Sequence, residues 1–251
     1  MTSVYAIELK KARRRYDALL ALAVALAAIV WSAGSKPDTA RELEEGYSAF
    51  FYALPIINTV IMPIGMAVLA SRLWDMEARS GMDRLLLTMQ TRTALFTGKA
   101  LRGLFLIALT TLAEGAGVAA FGALRGYTEA VDWGQLAWLL ACTAAVDALL
   151  FFAALLLSVR FASQTVALGA GLVASLSGLF AAFFPRWLSY MMPWSYFVPL
   201  SAMAMGWIRE TRETWFYPCG MNVPLLGVTL AMAALCAAAA QRAVGRGEGI
   251  E

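Results

Sequence analysis

The sequence predicts an all-α integral membrane protein: six transmembrane helices, both termini cytoplasmic, and short re-entrant or interfacial helices before the last span. Three observations lead there. Of 251 residues, 61% are hydrophobic and only 15% charged, with a mean hydropathy of +0.67, more apolar side chain than a soluble core of this size needs. Six apolar runs approach the roughly 20 residues that a helix needs to cross the hydrocarbon core. Lysine and arginine concentrate in alternate connections between those runs, as expected of a chain threaded through a bilayer.

The chain opens on a basic leader, Lys10-Lys11-Ala12-Arg13-Arg14-Arg15, which feeds a first span over 16–33 closed by Gly34-Ser35-Lys36-Pro37. Ser32-Ala33-Gly34 would also suit signal-peptide cleavage, but a signal's apolar region runs to roughly 7–15 residues, shorter than this one. The second span, 47–71, contains Pro55 and Pro63, which can kink it, and aligns Leu54, Asn58, Met62 and Gly65 on one stripe. A cytoplasmic loop over 72–97 leads to the third span, 98–121, which carries Glu114 ahead of Gly115 and Gly117.

The fourth span, 135–159, holds Asp147 near its middle. The fifth, 165–184, follows after a short turn around Arg160 and Gln164, so these two form a hairpin. The region 185–218 is too interrupted by Pro185, Pro193 and Pro199 for a clean span and too apolar for an ordinary loop. Short re-entrant or interfacial helices packed near the outer mouth fit it, because irregular backbone at membrane depth needs protein or water to partner it. The last span, 221–240, ends in a polar tail, and the whole of 1–251 reads as one transmembrane domain.

Orientation follows from the basic residues. The side bearing the leader, the 72–102 segment, Arg160, Arg242 and Arg246 holds fourteen of them, and the other side holds six: Lys36, Arg41, Arg125, Arg186, Arg209 and Arg212. Both termini are therefore placed in the cytoplasm. Trp31, Trp133, Trp187, Trp194 and Trp215 gather near the outer ends, at headgroup level.

Composition also excludes chemistry. The chain has no histidine, which removes Ser-His and Cys-His nucleophiles, histidine proton relays and histidine-ligated metals. Cys142, Cys219 and Cys236 are far apart, lack a C-x-x-C spacing and read as packing residues. A net charge of +3 gives no reason to expect a nucleic-acid partner.

The loop between the second and third spans is amphipathic. Asp75 or Ser80 can cap short helices, Gly81 permits a turn, and Leu85, Leu86 and Met89 make an apolar patch beside Arg84 and Arg92. Such a segment suits either an interfacial helix on anionic lipid or a docking helix for a cytoplasmic partner. The order Glu77-x-x-x-Gly81, then Leu85-Leu86, then Arg92 and Lys99 leading into an apolar span resembles the permease subunits of ABC-2-type transporters. It departs from their usual loop at Met82 and at Met89-Gln90-Thr91.

The resemblance runs over the whole chain, including the aromatic-proline stretch Met192-Pro193-Trp194-Ser195-Tyr196-Phe197-Val198-Pro199. By size and pattern it is most similar to lantibiotic-immunity and peptide-export permeases. It implies a subunit of an ATP-driven exporter in the bacterial cytoplasmic membrane, moving an amphipathic substrate by alternating access. The chain has no G-x-x-x-x-G-K-[ST] pattern. The resemblance therefore implies no cofactor on this chain, ATP and Mg in separate ABC ATPase subunits, and a second permease, the same or similar, besides membrane lipid. The ATPase-docking residues it implies are Asp75, Glu77, Arg79, Gly81, Arg84, Leu85, Leu86 and Arg92.

Polar residues inside spans are candidates by default because lipid burial is costly. Asn58 and Met62 on the second span, with Pro193, Trp194 and Tyr196, are candidates for the substrate path. Glu114 and Asp147 are placed where they can face one another, as a structural contact or, in an alternative reading, as the coupling site of a proton- or ion-driven carrier. Gly171, Ser175 and Gly178 form a small-residue face for close packing. A lipid-acting enzyme would need a carboxylate pair at an interface, and no such motif occurs.

Overall fold

The computed structural model describes residues 16–34, 43–79, 91–161, 163–181, 186–208 and 214–246. Its elements are α1 (Asp17–Gly34), α2 (Gly46–Arg79), α3 (Arg92–Arg125), α4 (Trp133–Phe161), α5 (Gln164–Ala181), α6 (Arg186–Ser189), a 3-10 turn (Pro193–Ser195), β1 (Met203–Trp207), β2 (Thr214–Pro218) and α7 (Val223–Arg246). Five helices, α1 to α4 and α7, are long and apolar enough to cross a membrane, and α5 is a shorter apolar helix.

Two helices form the middle of the bundle. α2 packs against α1, α3, α4 and α5, while α4 packs against α2, α3, α5 and α7. Around them α1, α5 and α7 turn large apolar side chains outward, such as Leu26, Val173 and Leu235. A soluble protein hides such a surface, whereas lipid solvates it.

Two sets of contacts identify the ends of the bundle. At the basic end, Arg72 Nε lies 3.5 Å from Asp17 Oδ1, Lys99 Nζ donates to Leu73 O, and Arg92 Nη1 donates to Gly245 O at 3.4 Å. The start of α1, the end of α2, the start of α3 and the end of α7 therefore meet there. At the opposite, aromatic end, Glu129 from the α3–α4 connection caps the start of α2. Its carboxylate accepts from Tyr47 N at 2.7 Å, Ser48 N at 3.0 Å and Ser48 Oγ at 2.5 Å.

Local caps explain where the helices begin. Thr91 Oγ1 accepts from Ala94 N at 3.3 Å and starts α3, Asp132 Oδ1 accepts from Gly134 N and Gln135 N ahead of α4, and Asn222 Oδ1 accepts from Leu225 N ahead of α7. α3 ends where Gly126 adopts φ 73, the left-handed conformation that favours glycine, and its N–H returns to the last turn.

Two expectations need correction. α2 continues past 71 to Arg79, and α3 begins at Arg92 instead of 98, each being 34 residues long. At ~1.5 Å per residue each is roughly 51 Å long, well beyond a ~30 Å hydrocarbon core. No breaker interrupts α2 after Pro63, so Asp75 starts no new helix and Asp75, Glu77 and Arg79 ride on the last turns of α2.

The second correction concerns the region before α7. Two short helical elements do lie there, a four-residue helix and a 3-10 turn, but they lead into an unexpected antiparallel hairpin pairing Met203 with Pro218 and Trp207 with Thr214. The prolines deny it a long helix, and Trp215, Phe216 and Tyr217 favour strand geometry. Gly206 faces Trp215, whose ring occupies the space a Cβ would need. Trp207, Trp215 and Tyr217 remain exposed, as suits an interfacial element.

Candidate functional site

α2, α3 and α4 converge mid-bundle on three polar side chains. Asn58, Glu114 and Asp147 are each 0% exposed. Asn58 Nδ2 donates to Glu114 Oε2 at 3.2 Å, and Asp147 lies within electrostatic reach of the Glu114 carboxyl. Among the described residues Asn58 Oδ1, Glu114 Oε1 and both Asp147 oxygens have no hydrogen-bond partner. The hydroxyls of Thr110 and Thr111, one turn back along α3, donate instead to Leu106 O and Ile107 O of their own helix.

A cleft at the aromatic end stops about one helical turn short of this cluster, none of whose three side chains lines it. Its walls are Phe51 and Pro55 of α2, Gln135 to Thr143 of α4 on one face, and Phe197 and Leu200 to Met203 of the segment before the hairpin. Trp138 Nε1 donates to Leu200 O at 2.9 Å and clamps that segment to α4. In this conformation the cleft has room for about one water molecule. Its deep residues, Pro55 and Thr143, stand about one helical turn, roughly 5 Å, from Asn58 and Asp147.

Of the residues named for a substrate path, Asn58 belongs to the cluster and Met62 lies one turn further along α2, fully buried. Pro193 opens the 3-10 turn, Trp194 follows it half-buried, and Tyr196 is buried with its hydroxyl donating to Tyr190 O at 2.8 Å. Burial raises the Tyr196 phenol above its usual range. Pro193 and Tyr196 hold the segment in place, while its later residues make the cleft wall. Sequence reasoning missed Phe51, Gln135, Trp138 and Cys142; an amide and an indole at the start of an otherwise apolar span were the available signal.

The small-residue face of α5 lies on the turn of α2 around Pro63. Ser175 Oγ donates to Val60 O, and Thr59 Oγ1 donates to Gly178 O at 3.2 Å. A Cβ added at Gly171 would sit 2.9 Å from Pro63 O, and one at Gly178 2.6 Å from Thr59 O. Pro63 has no N–H, so Thr59 O lacks its in-helix donor. The bare backbone of α5 closes over that turn.

At the basic end, Arg92 is the first residue of α3 and Lys99 is buried, its ammonium over the Trp74 ring at 5.3 Å from the centroid. Of the docking residues, Gly81, Arg84, Leu85 and Leu86 lie outside the described residues.

A family model described as ABC-2 family transporter protein matches residues 5–180, more than two thirds of the chain. The matched region contains α1 to α4, most of α5 and the whole polar cluster; the hairpin and α7 follow it. No curated protein matches the chain.

Proposed function

We propose that the chain, which belongs to the ABC-2 family of transporter proteins, is the membrane subunit of an ATP-driven exporter that moves an amphipathic substrate outward. Two ABC ATPase subunits and a second permease, the same or similar, complete the assembly. α5 serves as the sixth span and both termini face the cytoplasm, a placement supported by the fourteen-to-six division of basic residues. The bacterial cytoplasmic membrane is the location, and an antimicrobial peptide is the candidate cargo.

The observation that carries this reading is the pair of over-long helices. α2 and α3 each run as one helix from the basic end to the polar cluster, α2 through the turn at Pro63. At the basic end Lys99 on Leu73 O ties α3 to α2, and Arg72 on Asp17 ties α2 to α1. Closure of the ATPase pair pushes on the 77–88 connection. The helices carry that displacement to mid-membrane, where it changes which side the central space faces. The exposed apolar faces of α1, α5 and α7 are available to the second permease and to lipid.

The test is co-purification of the tagged chain from its native membrane in mild detergent, wild type against Glu77→Lys plus Leu85→Asp. An ATPase captured by wild type and lost from the folded variant supports the reading. If no nucleotide-binding partner appears with wild type, the reading is overturned. The buried Glu114 and Asp147 then favour a second one, an ion- or proton-coupled carrier, which transports in vesicles without ATP.

A further inference from the structure

The mid-membrane cluster presents more acceptors than the bundle answers. Asn58 Nδ2 satisfies one oxygen of Glu114. Asn58 Oδ1, Glu114 Oε1, Asp147 Oδ1 and Asp147 Oδ2 are buried without a hydrogen-bond partner among the described residues. The basic residues nearest along the three helices are Arg72, Arg102, Arg125 and Arg160. Each is eleven or more residues away, roughly 16 Å or more along the axis.

Kept ionised, two carboxylates in such surroundings cost several kcal/mol without a counter-charge, a cost that a proton or a bound cation removes. Asn58 is a separate sign. It is a neutral amide whose oxygen is also left open in the same space, where a purely structural amide would have found a donor. What is missing is a group that brings positive charge and several N–H donors together.

No group of three or more His, Cys, Asp or Glu side chains occurs among the described residues, so a transition metal has no ligand set here. The approach from the cleft passes Phe51, Trp138 and Phe197. Aromatic faces attract organic cations and solvate their apolar parts. A guanidinium supplies five donors, enough for all four open oxygens, and an ammonium three, enough for three of them.

We propose that Asn58, Glu114 and Asp147 form a binding site for the ammonium or guanidinium group of an amphipathic organic cation, entered through the cleft beside Trp138. Its use in export rests on the function proposed above, and it gives that exporter's cargo a class: an apolar body bearing a basic group. Outward movement of the 197–203 segment opens the one-water cleft enough to admit it.

The probe is dansylcadaverine, an aromatic primary ammonium, compared with its N-acetylated neutral form. Both are titrated by fluorescence against the purified full chain in phosphatidylcholine nanodiscs, with empty discs subtracted. The expected result is about tenfold or tighter binding of the ammonium form by wild type. Glu114→Gln and Asp147→Asn each lower that affinity about tenfold. Unchanged binding of the acetylated probe shows that these variants fold.

Equal affinity of wild type for the two probes, as expected if the carboxyls simply hold protons, overturns the proposal, and this result needs no variant. Amide variants that keep full ammonium affinity overturn it as well. No ATPase takes part in this assay. Loss of ammonium preference with the ATPase still co-purifying removes the site alone, and the converse removes only the exporter assignment.

Discussion

Consider Gly178→Ala, a change that ordinarily stabilises a helix by about 1 kcal/mol. Here the new methyl group would lie 2.6 Å from Thr59 O and 3.3 Å from Thr59 Cβ. Carbon approaches a carbonyl oxygen to about 3.3 Å at closest, so α5 must withdraw from α2 by roughly 0.7 Å. That withdrawal stretches the 3.2 Å bond from Thr59 Oγ1 to Gly178 O past useful length and pulls Ser175 from Val60 O. Overpacking costs about 1–3 kcal/mol, and each interhelical hydrogen bond in a membrane contributes about 0.6 kcal/mol. After the propensity gain, the expected net loss is roughly 1–3 kcal/mol. Gly169→Ala is the matched control on the same helix, because nothing lies within 4 Å of its Cβ position. Unfolding is followed by tryptophan fluorescence during SDS titration from mixed micelles. Gly169→Ala should match or exceed wild type while Gly178→Ala falls below it. If the two alanine variants unfold together, the close contact of α5 with the Pro63 turn is not what holds these helices.

Three further outcomes follow from the same geometry. Glu129→Ala removes the acceptor for Tyr47 N, Ser48 N and Ser48 Oγ and should cost roughly 2 kcal/mol, with faster amide exchange at residues 47 and 48; unchanged exchange there would show the cap to be dispensable. Lys99→Met keeps the apolar stem but loses the donor to Leu73 O and the ammonium over Trp74. The same SDS titration should show a loss of about 1–3 kcal/mol, and a variant as stable as wild type would remove Lys99 as a tie between α2 and α3. Trp138→Phe deletes the 2.9 Å bond to Leu200 O, worth about 1 kcal/mol, so exchange at residues 200–203 should quicken about fivefold while α2 amides keep their protection.

How much of this was legible beforehand depends on whether a property is a sum or a pairing. Hydropathy adds along the chain, so the membrane helices and their approximate spans could be read from runs of apolar residues. The Glu77-to-Lys99 pattern likewise pointed to the family that the 5–180 match shows. Glu114 and Asp147 stood out as polar residues within apolar runs, and the stripe at Gly171, Ser175 and Gly178 marked a face with close backbone approach. The linear order did not say what meets them. Glu114 takes its donor from Asn58 on a different helix, the small-residue stripe meets the turn that Pro63 leaves short of a donor, and Glu129 caps a helix that begins far back in the chain. The hairpin was hidden for the same reason, since strands gain their backbone bonds only by pairing across the turn. In lipid every polar group needs a partner. Composition alone determined which groups of this protein have that need, and the tertiary packing decided which are answered and which are left open, among them three side chains at the centre of the bundle.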